Sequence, residues 1–181
     1  PVWLYTVPKK HLRFDSVKIT TLDYKEPKIR VEAWPNTAGE VKVEILEKSG
    51  NREVSSAGNF AQGEGENQSA GNTGENIAAM ENLQADGKFS CEFALPVAKL
   101  WSPEEPNLYV CRVTFGEDVQ EETFGIRMVS CTPENGFQIN GKRVLLKGGC
   151  IHHDNGLLGA CAYEFAEHRK VRLLLVAGYI A

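Results

Sequence analysis

The sequence predicts a mainly β protein in which a two-sheet sandwich is followed by a short hairpin and one βα unit. Apolar and polar residues alternate with period two in several short segments, which proline, glycine and asparagine separate. Later an Asn-Gly pair lies between apolar runs, and near the end of the chain apolar residues recur at helical spacing. The length of 181 residues suffices for one domain and part of another.

Six short strands make up the predicted sandwich. In each of them one alternating set of residues is apolar, which is typical of an antiparallel strand with one buried face. The six segments are residues 17–21, 29–33, 41–45, 89–95, 109–115 and 124–128. Residues 57–87 are rich in Gly, Asn, Gln, Glu and Ser, and this composition predicts a long mobile loop. Ile77, Met80 and Leu83 are expected to hold the far end of that loop on the sandwich.

After Pro133 the pattern changes. Asn140-Gly141 between alternating apolar runs predicts a hairpin with a type I′ turn. Three further elements are expected, a buried strand, a polar loop and an amphipathic helix, at residues 144–151, 152–159 and 163–177. Strand, loop and helix in this order form a βα unit with a parallel crossover, so the boundary with the sandwich is placed near Pro133.

Charge and cysteine content exclude several classes of function. The net charge of −4 argues against binding to nucleic acid, and no apolar stretch is long enough to span a membrane. None of the five cysteines forms a Cys-x-x-Cys pair suited to zinc or redox chemistry, and no residues that would bind a metal or a cofactor are evident in the sequence. We expect buried free thiols, which favour a reducing compartment such as the cytoplasm, and a Cys91–Cys111 disulfide between the sheets stays open. The localisation is left unknown because Pro1 is not expected to be the native N-terminus.

Four strings of residues carry a more specific signal. They are LWSPEEPNLY at 100–109, FGIR at 124–127, GFQINGK at 136–142 and KGGCIHHDNGLLG at 147–159. In this order they resemble glycoside hydrolase family 2, the β-galactosidase and β-glucuronidase family. The opening string PVWL at 1–4 is similar to the end of that family's N-terminal jelly-roll domain.

The resemblance implies a domain map. The family consists of a jelly roll, an immunoglobulin-like sandwich and a (β/α)8 barrel that carries the chemistry. Residues 1–10 would be the end of the jelly roll or a linker, and residues 11–131 the immunoglobulin-like β-sandwich. Residues 132–181 would be the start of the catalytic barrel, truncated after its first βα unit.

The resemblance also implies that the parent protein is a retaining β-glycosidase. Such enzymes use an acid/base glutamate and a nucleophilic glutamate roughly 5–5.5 Å apart, and in this family the acid/base glutamate follows an asparagine. No Asn-Glu dipeptide occurs here, so no catalytic residue is assigned and the chain alone is expected to be inactive. The sandwich would then be a spacer between the sugar-binding jelly roll and the barrel. The expected partners are a β-linked carbohydrate and these flanking domains.

His152 is the residue to which the resemblance assigns substrate binding. It matches the family histidine that follows the first barrel strand and reaches the sugar, and barrel active sites form at the C-terminal ends of the strands. Without the resemblance it would be interpreted as a solvated loop histidine. His153 and Asp154 are not expected to bind a metal, because a third ligand at metal spacing is missing. Asp154 is expected to start the loop turn with its side chain.

Other residues of the resembling strings are given structural roles. Trp101 is expected to cover one end of the sandwich, and Arg127 to make a bidentate contact at the domain boundary. The family has an asparagine where this chain has Ile180, so no sugar-binding role is transferred to that position.

A second function remains open at this point, a freestanding immunoglobulin-like module that binds carbohydrate or protein. It accounts for the sandwich but gives no reason for the hairpin, strand and helix that follow. If the barrel segment is cut, the apolar stripe of its helix is expected to pack against the sandwich or against a second copy of the chain. The second case would give a homo-oligomer.

Overall fold

The computed structural model describes residues 4–48, 73–152 and 154–179, and it contains the two-sheet sandwich. The strands of the sandwich are β1 (Lys18–Asp23), β2 (Lys28–Ala33), β3 (Gly39–Lys48), β4 (Thr73–Ala85), β5 (Phe89–Ala94), β6 (Tyr109–Phe115) and β7 (Asp118–Phe124). One sheet has the order β1-β2-β5 and the other β4-β3-β6-β7, with antiparallel pairs throughout. In immunoglobulin nomenclature these are the sheets A-B-E and C′-C-F-G. The predicted immunoglobulin-like sandwich is confirmed.

The core lies between the inner faces of the two sheets. Alternate residues of β2, β3 and β6 are buried, and most of those between them are half-buried or exposed. The largest fully buried side chains of these strands are Ile29, Val31, Val41, Val43, Ile45, Val113 and Phe115. Because burying one such side chain is worth about 1.5–3 kcal/mol, the period-two pattern of the sequence also defines the main source of stability.

Five of the six predicted strand segments are strands, and the sixth is wrong. Phe124 is the last residue of β7, and residues 125–128 belong to no strand. Ile126 is nevertheless fully buried, and its carbonyl accepts a hydrogen bond from the Trp101 N–H at 3.0 Å. The apolar pattern therefore identified a buried segment correctly. It did not reveal that this segment pairs with a loop instead of a strand.

The predicted long loop is wrong for residues 73–85, which form β4. This strand pairs with β3 at the edge of the sheet, and its register shifts between Val41 and Val43 and twice more near Leu46. Such irregularities break the strict alternation by which a strand is recognised in a sequence. Ile77, Met80 and Leu83 pack against the core, as expected. The part of the predicted loop before residue 73 lies outside the described residues.

A third, small sheet follows the sandwich. It consists of β8 (Val129–Thr132), β9 (Gly136–Ile139) and β10 (Lys142–Arg143), in the order β10-β9-β8. Asn140 and Gly141 connect β9 to β10 with φ angles of 52° and 74°. Positive φ at both central residues defines a type I′ turn, which confirms the predicted hairpin.

The predicted strand at residues 144–151 is absent. These residues are irregular, and Leu145, Leu146 and Ile151 are more than half exposed. The Val144 N–H donates to the Phe137 carbonyl at 2.9 Å, but no strand of the described chain pairs with the segment, and a buried parallel strand needs such a neighbour. An apolar sequence alone cannot supply that neighbour.

The predicted helix is present as α1 (Glu164–Val176), preceded by a single 3-10 turn at Gly156–Leu158. None of the residues of α1 is buried, and Phe165, Leu173 and Val176 are exposed. The expectation that the apolar stripe packs against the sandwich is therefore wrong. Association through a second copy stays a prediction. Within the described residues no helix is both long and apolar enough to cross a membrane.

All five cysteines are free. Cys91 and Cys111 are buried in the core, whereas Cys131, Cys150 and Cys161 are exposed, so the expectation of buried thiols is wrong for these three. Burial raises the pKa of Cys91 to about 11 and that of Cys111 to about 12. Both core thiols therefore remain protonated at neutral pH and behave as small apolar side chains.

Candidate functional site

The chain enters the sandwich through residues 9–13, here called the entry segment. The amide of Asn36 donates to the carbonyl of Lys9 at 2.9 Å and accepts from the His11 N–H at 3.0 Å. The Leu12 N–H donates to the Asp118 carboxylate at 2.7 Å, and Leu12 itself is buried. A side chain from the β2–β3 connection and one from β7 thus hold the entry segment in one position.

The chain leaves the sandwich through residues 125–128, here called the exit segment. The indole of Trp101 covers its first residue, because a Cβ added to Gly125 would lie 2.8 Å from three atoms of Trp101. Contacts under 3.0 Å between a Cβ and a fixed side chain require a shift of the structure, so only glycine allows this close approach. The expectation that Trp101 covers one end of the sandwich agrees with this contact.

Arg127 contacts the same indole. Its guanidinium carbon is 4.3 Å from the Trp101 ring centroid, which is a cation–π contact, and its backbone N–H donates to Thr21 Oγ1 at 3.3 Å. The expected bidentate contact is therefore replaced by stacking. A planar guanidinium can bind a carboxylate with two hydrogen bonds or stack on an aromatic ring, and the sequence does not show which of these groups lies nearby.

Asn140 joins the hairpin to the exit segment and to the Trp101 loop. Its Oδ1 accepts from the Met128 N–H at 2.9 Å, its backbone N–H donates to the Met128 carbonyl at 2.9 Å, and its Nδ2 donates to the Trp101 carbonyl at 3.0 Å. Next to it, a Cβ on Gly141 would lie 2.6 Å from Tyr24 Oη. The turn is thus packed against the sandwich on two sides, and we call residues 101, 127 and 140 the junction cluster.

His152, the one residue predicted to contact a sugar, lies farther along the chain, in a loop of residues 152 and 154–161 that is here called the His152 loop. His152 is exposed, and its carbonyl accepts from the Asp154 N–H at 2.7 Å. Asp154 Oδ1 accepts from the Gly156 N–H at 3.0 Å, so Asp154 starts the turn as expected. His153 lies outside the described residues, and among the residues described no cluster of three metal-ligating side chains occurs.

A cleft of about 370 Å³ lies where the hairpin meets the residues that follow it. Its charged lining residues are Glu104, Lys142, Arg143 and Lys147. His152 does not line this cleft, so the structure keeps the one predicted sugar-binding residue apart from it.

Comparison with known proteins decides the family. The model of glycosyl hydrolases family 2 matches residues 12–127, which include all the described strands of the sandwich. The chain belongs to glycosyl hydrolase family 2. The resemblance seen in the sequence is thereby confirmed.

Two curated relatives match more than half of this chain. A Formosa agariphila protein with a provisional beta-glucuronidase name is 29% identical over 180 residues, covering 93% of this chain and 19% of the relative. Beta-galactosidase BoGH2A of Bacteroides ovatus is 29% identical over 130 residues, covering 59% of this chain and 15% of the enzyme. This chain thus spans less than a fifth of the length of these two curated relatives.

Among solved structures, a family 2 member from Bacteroides cellulosilyticus is similar with a TM-score of 0.69 and 30% identity. The similarity covers 94% of this chain and 23% of that one. A Bifidobacterium dentium beta-glucuronidase complexed with coumarin-3-O-glucuronide has a TM-score of 0.68 at 23% identity, over 91% of this chain and 25% of that chain, and this match speaks for the fold alone.

Two residues at these sites were not recognised as functional from the sequence. The Asn-Gly pattern indicates only the turn at Asn140, although the asparagine side chain in a I′ turn is free to bond outside the turn. The place of Asn155 between Asp154 and Gly156 is typical of a loop that bonds to itself. The side-chain partners of both asparagines lie between 6 and 39 residues away in the sequence, and no local pattern identifies them.

Proposed function

We propose that this chain is the central spacer and the barrel start of a retaining β-glycosidase, in which the sandwich holds the jelly roll in a fixed position relative to the barrel. The observation that carries this proposal is that the entry segment and the junction cluster are both hydrogen-bonded to the sandwich, at 2.7–3.0 Å. A spacer sets the geometry between two domains only if both of its ends are rigid. Flexible linkers would allow the two domains to adopt many relative positions.

His152 is proposed to bind the sugar of the parent enzyme. It is exposed, it precedes the turn that leads to α1, and it matches the family histidine after the first barrel strand. An imidazole can donate or accept a hydrogen bond to a ring hydroxyl. A bond that strengthens as positive charge develops on the sugar lowers the barrier for cleavage.

The substrate class of the parent is proposed to be β-linked glycosides. The similar proteins include both a beta-galactosidase and beta-glucuronidases, which differ in the sugar that they cleave. The two catalytic carboxylates are proposed to lie in parts of the parent enzyme outside this chain, since the acid/base glutamate is expected to follow an asparagine and the sequence contains no Asn-Glu dipeptide.

Two assays test this proposal. The 181-residue chain should show no turnover of nitrophenyl β-galactoside or β-glucuronide, and the full-length enzyme should hydrolyse at least one of them. In the full-length enzyme, His152→Ala should reduce kcat/KM about 100-fold, the typical cost of removing a hydrogen bond that strengthens in the transition state. His168→Ala is the matched control, because His168 is an exposed histidine on α1 whose ion-pair partner is the exposed Glu164.

Turnover by the 181-residue chain that one substitution in this chain abolishes would contradict the spacer function. Saturable binding of galactosides or glucuronides to this chain in calorimetric titration would instead favour the freestanding carbohydrate-binding module. Equal activities of His152→Ala and His168→Ala would exclude the role proposed for His152.

A further inference from the structure

The His152 loop is closed on itself by one asparagine. The backbone N–H of Asn155 donates to the Gly159 carbonyl at 2.9 Å, and its carbonyl accepts from the Leu158 N–H at 3.2 Å. Its Nδ2 donates to the Cys161 carbonyl at 2.9 Å. Asn155 is half-buried, whereas the other described residues of this loop are exposed. Three backbone groups of the loop thus depend on one residue.

The same side chain ties the loop to α1. Asn155 Nδ2 also donates to Glu167 Oε1 at 2.9 Å, and Lys170 Nζ lies 3.3 Å from both oxygens of that carboxylate. Glu167 lies in the first turn of α1, where the helix dipole favours a negative charge. Both amide protons of Asn155 therefore have acceptors, one in the loop and one on the helix.

Asp154 connects these hydrogen bonds to His152. The Asp154 N–H donates to the His152 carbonyl at 2.7 Å, and the Asp154 carboxylate accepts from the Gly156 N–H on the far side of Asn155. The backbone of His152 is thus connected to residues that Asn155 holds against α1. We infer that Asn155 is a positioning residue, which fixes the His152 loop on the first turn of α1 and so places the His152 imidazole at the sugar.

This inference rests on the proposed function, since it assumes that His152 contacts substrate. It assigns a role to Asn155, which would affect catalysis only through the position of the His152 side chain. Displacing a substrate-binding group by about 1 Å can lower the rate roughly 100-fold, so the loss of two anchoring bonds has a measurable effect. Asn155→Ala in the full-length enzyme should therefore lower kcat/KM roughly 10-fold to 100-fold.

A double-mutant cycle distinguishes positioning from a general structural role. Asn155→Ala should lower kcat/KM in the wild-type background and by no more than about twofold in the His152→Ala background. Glu164→Gln is the matched control, because that carboxylate lies in the same turn of α1 but is 92% exposed. It should leave kcat/KM unchanged in both backgrounds.

A near-isosteric variant covers the case in which Asn155→Ala fails to fold. Asn155→Asp places a second carboxylate against Glu167 in place of the amide donor, so its kcat/KM should fall at neutral pH. Its activity relative to the wild type should recover as the pH is lowered, because a protonated carboxyl again donates to Glu167.

The outcomes separate the two claims. If His152→Ala is impaired and the effects of His152→Ala and Asn155→Ala are additive, the inference is wrong and the proposed function stands. The same holds if Asn155→Asp retains wild-type activity at neutral pH. If His152→Ala is itself unimpaired, the proposed role of His152 fails and the inference fails with it.

Discussion

Asn140 shows how one residue serves a local and a tertiary purpose at once. Its φ of 52° is required by the type I′ turn, and asparagine tolerates this conformation better than most residues. The same conformation directs its amide to Met128 and to the carbonyl of Trp101. The Trp101 indole is in turn covered by the Arg127 guanidinium. The side chain of this turn residue therefore also connects the hairpin to the sandwich through hydrogen bonds.

Asn140→Gly is expected to destabilise the protein by about 1–3 kcal/mol, because the variant keeps the positive φ but loses two hydrogen bonds to backbone groups. Asn140→Ala should cost more, since alanine adds the penalty of a left-handed conformation. Urea unfolding followed by tryptophan fluorescence measures both free energies of unfolding.

Asn135→Gly on the exposed turn before β9 is the control and should change the free energy of unfolding by less than about 0.5 kcal/mol. If Asn140→Gly were as stable as this control, the side chain would contribute nothing to the junction.

At the scale of elements, the outer face of the β1-β2-β5 sheet carries a network of charges. Glu92 on β5 bonds to Lys28 at 2.6 Å and to Arg30 at 2.7 Å, both on the neighbouring strand β2. Glu32 on β2 pairs with Lys88, whose ammonium also lies 5.1 Å from the Trp34 ring centroid. Hydrogen bonds to these cations lower the pKa of both carboxyl groups. The network aligns strands that are also paired through their backbones.

The lowered pKa of Glu92 predicts how stability depends on pH. Because its pKa is lower in the folded than in the unfolded state, its contribution is present above the unfolded pKa of about 4.3. The contribution is lost as the pH falls through the folded-state value. Glu92→Gln should therefore be less stable than the wild type at pH 7, and the difference should shrink as the pH falls below about 4.

Chemical denaturation at a series of pH values tests this dependence, with Glu117→Gln in the exposed β6-β7 turn as the control. Added salt should also reduce the difference, because the pairs are partly exposed and therefore screened. A difference between wild type and Glu92→Gln that is independent of pH would contradict the assignment.

In the molecule as a whole, the sandwich has a buried apolar core, whereas the C-terminal part leaves apolar side chains exposed. Leu145, Ile151, Phe165 and Leu173 are each more than half exposed, whereas the inner faces of the sandwich are closed. Several large apolar side chains without cover over one segment are typical of a surface that contacts protein. In the proposed full-length enzyme the remainder of the barrel would provide that cover.

Without such cover, the 181-residue chain is expected to self-associate through residues 144–179. Deleting everything after Arg143 keeps all three sheets and should give a monomer, whereas the 181-residue chain should sediment as a larger species that dissociates on dilution. Val119→Gln, which removes an exposed apolar side chain from β7 instead, should leave the association unchanged. Identical monomeric sedimentation of the intact and the shortened chain would refute the prediction.

Local sequence patterns predicted most of the sandwich, the type I′ turn and the helix correctly. These features arise from short-range causes, namely the period of the apolar residues, the conformational freedom of Asn140 and Gly141, and helical spacing. The motif strings identified the family for the same reason, since they are contiguous in the chain.

Which segments find hydrogen-bonding partners depends on the folded arrangement of distant parts of the chain. Residues 73–85 form a strand because β3 offers them an edge, and residues 144–151 do not because no strand of the described chain pairs with them. Likewise, Arg127 stacks on Trp101 and Asn155 bonds to Glu167 through contacts that depend on where distant residues lie. A hydrogen bond or a ring contact needs both partners in place, and a linear pattern specifies one partner at a time.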